Sequence, residues 1–152
     1  MSLVGAALGA GDAHAAKQMA WRVSRYGVLA GVVFGALMAA GWFVVPALFS
    51  SDGSVQQQAH VLWPWLVAMM PIGGIVFALD GVLLGAGDNA FMSKITVLAA
   101  VGAFVPLSLA ALRFDWGLGG VWAGLSGFIL VRFVGMTLRA RSGRWLVLGE
   151  QR

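Results

Sequence analysis

The 152-residue chain contains no cysteine. Disulfides, thiolate nucleophiles and cysteine metal sites are thereby excluded, and the redox character of its compartment is left open. Charge is also scarce, at 11% of residues, while apolar residues make up 60%. A soluble domain carries about 25% charged residues and about 45–50% apolar ones, so this balance points to lipid as the solvent. The formal charge of +4 does not indicate a nucleic-acid binder. Such proteins spread Lys and Arg over a polar surface, whereas here the basic residues flank long uncharged runs. Residues 1–10 lack a basic segment before a short apolar stretch, so no cleavable signal peptide is expected and insertion would rest on the later helices.

What is present is a set of four apolar runs. About 20 mostly apolar residues cross the roughly 30 Å of hydrocarbon as a helix. Residues 27–49, 61–84, 92–112 and 116–138 satisfy this. Asp80 interrupts the second run and Arg132 the fourth, each within two turns of an end. A single charge costs about 2.5–3.5 kcal/mol on the insertion scale, which the strongly apolar neighbours offset. The fold class is therefore an all-α membrane protein of four transmembrane helices, a single domain over residues 1–152.

Orientation follows from where the positive charge falls. Lys17, Arg22, Arg25, Lys94, Arg139, Arg141, Arg144 and Arg152 share one side, against Arg113 with Asp52 and Asp115 on the other. Both termini are expected inside, in a bacterial inner or plasma membrane. Trp63, Trp65 and Trp116 fall at predicted outer ends, and Trp21 and Trp145 at inner ends, where amphipathic rings favour the interface. Residues 50–60 and 113–115 read as outer loops. Residues 12–26 read as an interfacial helix leading into the first span, with His14, Gln18, Arg22 and Arg25 on its polar face and Ala16, Met19, Ala20 and Val23 opposite.

The pentapeptide Leu-Gly-Ala-Gly-Asp occurs twice, at residues 8–12 and 84–88. Each copy precedes a span, an outer loop and a returning span, so the two hairpins are parallel repeats. The motif reads as a helix break and restart. Gly9, Gly11, Gly85 and Gly87 permit a left-handed turn, and Asp12 and Asp88 are placed to cap the next helix.

Three stretches together resemble the MATE (multidrug and toxic compound extrusion) family. LVGAALGAGDAHAAKQMAWRVSRYG, residues 3–27, is similar to the loop and helix start after that family's eighth helix. PIGGIVFALDGVLLGAGDNAF, residues 71–91, is similar to the tenth helix and following loop of the DinF-like branch. WGLGGVWAGLSGFILVRFVGMTLRARSGRW, residues 116–145, is similar to the twelfth helix and basic tail. The resemblance implies the last four helices of a twelve-helix multidrug-efflux antiporter, driven by H+ or Na+ and exporting amphipathic, often cationic, xenobiotics. It also implies that the remaining helices are partners, because alternating access needs two bundles rocking about a central site. A stand-alone four-helix protein with a structural or partner-binding role is the alternative, as is a piece of a related lipid-linked-sugar flippase.

Among single residues, Asp80 and Arg132 are the transport or ion-coupling candidates. An intramembrane carboxylate can exchange a cation as its helix changes exposure. The structural reading has Asp80 meeting water near the interface and Arg132 snorkelling; a third possibility is that the two pair. Gly27, Gly31 and Gly35, continued by Ala39, and Gly120 with Gly124, form small-residue stripes suited to close helix packing. Met69, Met70 and Phe77 are candidates to line an apolar cleft. Pro46, Pro64, Pro71 and Pro106 are placed to bend spans. No enzyme, cofactor or metal site is expected. His14 and His60 lie on opposite sides of the membrane, no serine has an evident His or carboxylate partner, and Gly-Ala-Gly-Asp lacks the Lys and Ser/Thr of a phosphate loop.

Overall fold

A computed structural model describes residues 3–147. Arg152 of the basic cluster lies outside the described residues. The chain is entirely helical between its turns: α1 (Leu3–Gly9), α2 (Ala13–Ala40), α3 (Val44–Phe49), α4 (Gly53–Gly85), α5 (Asn89–Ala99), a π-helical segment (Ala100–Phe104), α6 (Val105–Arg113) and α7 (Gly117–Ser142). Four long apolar helices result, because α5, the π segment and α6 run on as one helix over Asn89–Arg113.

The spans differ at their ends from the sequence expectation, for identifiable reasons. The lead-in and the first span are one helix, α2, which stops at Ala40 rather than continuing to Phe49. Gly41 closes it by donating its N–H to the Leu37 carbonyl at 2.9 Å. Pro46 then sits in the first turn of α3, where its missing N–H costs no intrahelical bond. The expected outer loop over 50–60 is mostly helix, leaving only residues 50–52 outside one. Asp52 starts α4 by accepting the Ser54 N–H at 2.9 Å, and the helix then extends through Gln56–58 beyond the apolar run. At 33 residues α4 is about 50 Å long, well over the hydrocarbon thickness. Pro64 and Pro71 lie inside α4 without ending it.

The duplicated pentapeptide folds as a duplicated elbow. After α1, the N–H of Ala10 reaches the Ala6 carbonyl, Gly11 reaches Leu8 and Asp12 reaches Ala7, each at 3.0 Å. After α4, Ala86 reaches Val82 at 2.9 Å, Gly87 reaches Leu84 at 3.0 Å and Asp88 reaches Leu83 at 3.0 Å. These are the six-to-one and five-to-two bonds of a Schellman ending. They require a left-handed residue, supplied by Gly11 at φ 77° and Gly87 at φ 80°. The segment before Gly9, read only as loop and helix start, is thus the end of a helix.

Packing is uneven along the bundle. α2 lies against α4, α4 against α7, and α7 against α5, the π segment and α6. Gly27 and Gly31 allow the α2–α4 approach. A methyl group at Gly27 would fall 2.5 Å from the Gly74 carbonyl oxygen, and one at Gly31 would fall 2.6 Å from that of Met70. Gly35 faces Val67 less closely, and Ala39 is exposed just before the helix breaks. Gly120 packs on Ala111, and Gly124 faces Ser108. The buried core gathers where the elbows are: Val4, Leu8, Ala16, Ala20, Leu79, Leu83, Met92, Met136 and Trp145 belong to it. Elsewhere large apolar side chains such as Leu29, Leu37, Val97 and Leu109 point outward, as lipid-facing residues do, since lipid is as apolar as they are.

Two tryptophans depart from the interfacial role. Trp63 and Trp145 are 8% and 1% exposed. Each indole N–H is bonded inside, Trp63 to the Met38 carbonyl at 2.7 Å and Trp145 to that of Ala140 at 2.9 Å. Buried indoles seek such acceptors. Trp21, Trp65 and Trp116 remain exposed.

Candidate functional site

The helix order brings the two interrupted spans side by side. α4 descends to the elbow end and carries Asp80 about a turn and a half before its close. α7 descends beside it and carries Arg132. The Arg132 Nη2 donates to Asp80 Oδ1 at 2.5 Å, with side chains 16% and 18% exposed. The guanidinium also lies over the Phe128 ring, 5.7 Å from its centroid. Asp80 and Arg132 therefore satisfy each other within the bundle, and Arg132 does not simply reach for the interface. The pair is single-pronged, and the buried Arg132 Nε has no hydrogen-bond partner among the described residues.

A second pair was missed in the sequence. Arg139, two turns beyond Arg132, donates through Nε to Asp88 Oδ2 at 2.7 Å and through Nη2 to Oδ1 at 3.2 Å. It also covers Phe91 at 5.0 Å. This two-pronged geometry is the stronger kind of arginine–carboxylate contact. It corrects the capping role given to Asp88, which occupies the N-cap of α5 but makes no side-chain cap bond. Asp12, its repeat counterpart, does cap, accepting the Ala15 N–H at 2.9 Å. The usable signal was the spacing: arginines seven apart on one helix face, opposite aspartates eight apart. α7 is thus tied to α4 at Asp80 and to the α4–α5 elbow at Asp88.

Above the Asp80 level, α2, α4 and α7 border an open groove of about 730 Å3. Met69, Met70 and Phe77 line it from α4, with Tyr26 and Phe34 from α2 and Trp122 from α7. No charged side chain lines it among the described residues. Asp80 and Arg132 lie outside it. In the third long helix, the π segment ends two residues before Pro106. Helix kinks gather at such segments and at prolines. No cluster of three or more His, Asp or Glu side chains suited to a metal occurs among the described residues.

Comparison with known proteins fits this arrangement. The MatE family profile matches residues 1–109. Protein DETOXIFICATION 44, chloroplastic, of Arabidopsis thaliana is 26% identical over 149 residues, covering 97% of this chain and 28% of its own length. Protein DETOXIFICATION 45, chloroplastic, of the same plant is 30% identical over 138 residues, covering 88% of this chain and 24% of its own. Protein DETOXIFICATION 43 is 27% identical over 135 residues, covering 87% and 25%. The chain spans about a quarter of the length of these curated relatives. No solved structure matches it. The matched stretch holds both elbows, the α2–α4 hairpin and Asp80, and on that evidence this multi-pass membrane chain belongs to the MatE family.

Proposed function

We propose that the chain contributes four helices to a secondary active antiporter of the DinF-like branch, exporting amphipathic or cationic compounds against a proton or sodium gradient. The observation that carries this reading is the Asp80–Arg132 pair within a chain of the MatE family. An intramembrane carboxylate held by one prong of an arginine is poised to exchange that partner for a proton or Na+. The exchange would release α7 from α4, two helices of different hairpins. The apolar groove beside it offers Met and aromatic surface for an amphipathic substrate. The small-residue contacts of Gly27, Gly31, Gly120 and Gly124 keep each hairpin rigid while hairpins move.

Alternating access needs a second bundle, so the chain works with the remaining helices of a transporter. Seven basic residues at the elbow end, among the described residues, favour that end as the cytoplasmic one in a bacterial inner membrane. Expression in an efflux-deficient host tests the proposal. These 152 residues alone are expected to leave drug sensitivity unchanged. Together with the remaining helices they are expected to lower accumulation of a cationic dye, and Asp80→Asn is expected to abolish that effect. Resistance conferred by the chain alone, or full transport by the Asp80→Asn form, refutes it.

A further inference from the structure

A smaller cleft of about 340 Å3 opens between α2, α4 and α7 on the elbow side of the molecule. It is separate from the groove described above and from both ion pairs. Its walls grade from apolar to basic. Val28, Leu79 and Phe133 form the apolar part, and Arg25 of α2 and Arg141 of α7 stand at its edge. Neither arginine makes an ion pair or a hydrogen bond through its side chain among the described residues, unlike Arg132 and Arg139. Two guanidiniums bordering one cleft favour an anion there. Thr137 also lines the cleft. Trp21, exposed at the same rim, has the ring type that settles at headgroup depth.

We propose that this cleft binds one anionic phospholipid from the leaflet at the elbow end. The phosphate lies between Arg25 and Arg141. An acyl chain follows Val28, Leu79 and Phe133. The grading from guanidinium to hydrocarbon within one cleft favours a lipid over a free anion, which would need no apolar wall. Basic pockets between membrane helices bind acidic headgroups by this chemistry. A bound lipid would bridge α2 to α7, each of which packs extensively against α4.

The full chain in phosphatidylcholine nanodiscs with a small fraction of phosphatidylglycerol provides the test. Native mass spectrometry should show one retained phosphatidylglycerol. Arg25→Gln or Arg141→Gln should weaken retention about five-fold each, and the two together about 25-fold. Arg22→Gln with Arg144→Gln removes two exposed arginines outside the cleft and should leave the adduct in place. Equal loss in both double variants means general surface attraction and overturns the proposal. So does displacement by millimolar inorganic phosphate, which would mark a free-anion site. Should the cleft variants fail to fold, the unaltered cleft decides. Quenching assigned to Trp21 by comparison with Trp21→Phe should be stronger with brominated phosphatidylglycerol than with brominated phosphatidylcholine, and equal quenching overturns the proposal.

Discussion

Removing one member of the Asp80–Arg132 pair should destabilise the bundle far more than removing both. Both side chains are more than four-fifths buried and are joined by one contact at 2.5 Å. Arg132→Leu leaves a carboxylate facing apolar neighbours, and Asp80→Leu leaves a guanidinium whose Nε already has no partner among the described residues. Breaking a buried pair in this way costs about 3–5 kcal/mol. The single-pronged geometry and the nearby elbow end place the expected loss at about 3 kcal/mol for each single variant. Replacing both by leucine removes both desolvation costs and should return stability to within about 1 kcal/mol of the unaltered protein. Reversible unfolding of the purified chain in mixed micelles, titrated with SDS, reads these differences. The charge-reversed form, Asp80→Arg with Arg132→Asp, supplies a second check and should recover part of what either single reversal loses. The reasoning is refuted if the two leucine substitutions add to within about 0.5 kcal/mol, the behaviour of independent sites.

Three further predictions rest on local geometry. Gly74→Ala should destabilise the bundle by about 1–3 kcal/mol, because the methyl group meets the backbone of Gly27, whereas Gly73→Ala has nothing within 4 Å and should be tolerated; the same SDS titration compares them. Asp12→Ala should cost about 1 kcal/mol through a lost cap, while Asp88→Ala should cost more by freeing Arg139; thermal unfolding followed by circular dichroism separates the two. The Ser54 hydroxyl and N–H hold the Asp52 carboxyl below its ordinary value of 3.8. The contact therefore contributes at pH above 3.8 and is lost as pH falls through the lowered value. Carboxyl-carbon NMR should find Asp52 titrating low in the unaltered chain and closer to 3.8 in Ser54→Ala.

The number of membrane helices was legible without coordinates because hydrocarbon solvent leaves little choice. Any run of about 20 apolar residues must satisfy its own backbone as a helix, and short loops return the chain. The elbows were legible for a similar reason: Gly11 and Gly87 are positions where only glycine turns left-handed cheaply. Helix ends were less so. Ser50 to His60 looked like loop because it is polar, yet a single cap at Asp52 and water beyond the bilayer let α4 continue through it. α1 lies in the stretch that resembles a loop and helix start, and it is a helix because Val4 and Leu8, one turn apart, bury against the core.

Side-chain partners belonged to the tertiary structure. Asp80 and Arg132 were visible as isolated charges, and a pairing between them was one reading among three. Only the descent of α7 beside α4 at matched depth brought them together. The same register took Asp88 from its expected cap and gave it to Arg139, while Asp12, preceded by the same four residues, kept its cap. Packing of α4 on α2 bound Trp63 to the Met38 carbonyl, and the turn after α7 bound Trp145 to that of Ala140, so both became buried anchors. Local sequence sets which backbone conformations are cheap, and therefore determined the spans and the elbows. Which charges meet depends on the relative height of helices 52 and 51 residues apart in the chain, and packing alone decides that.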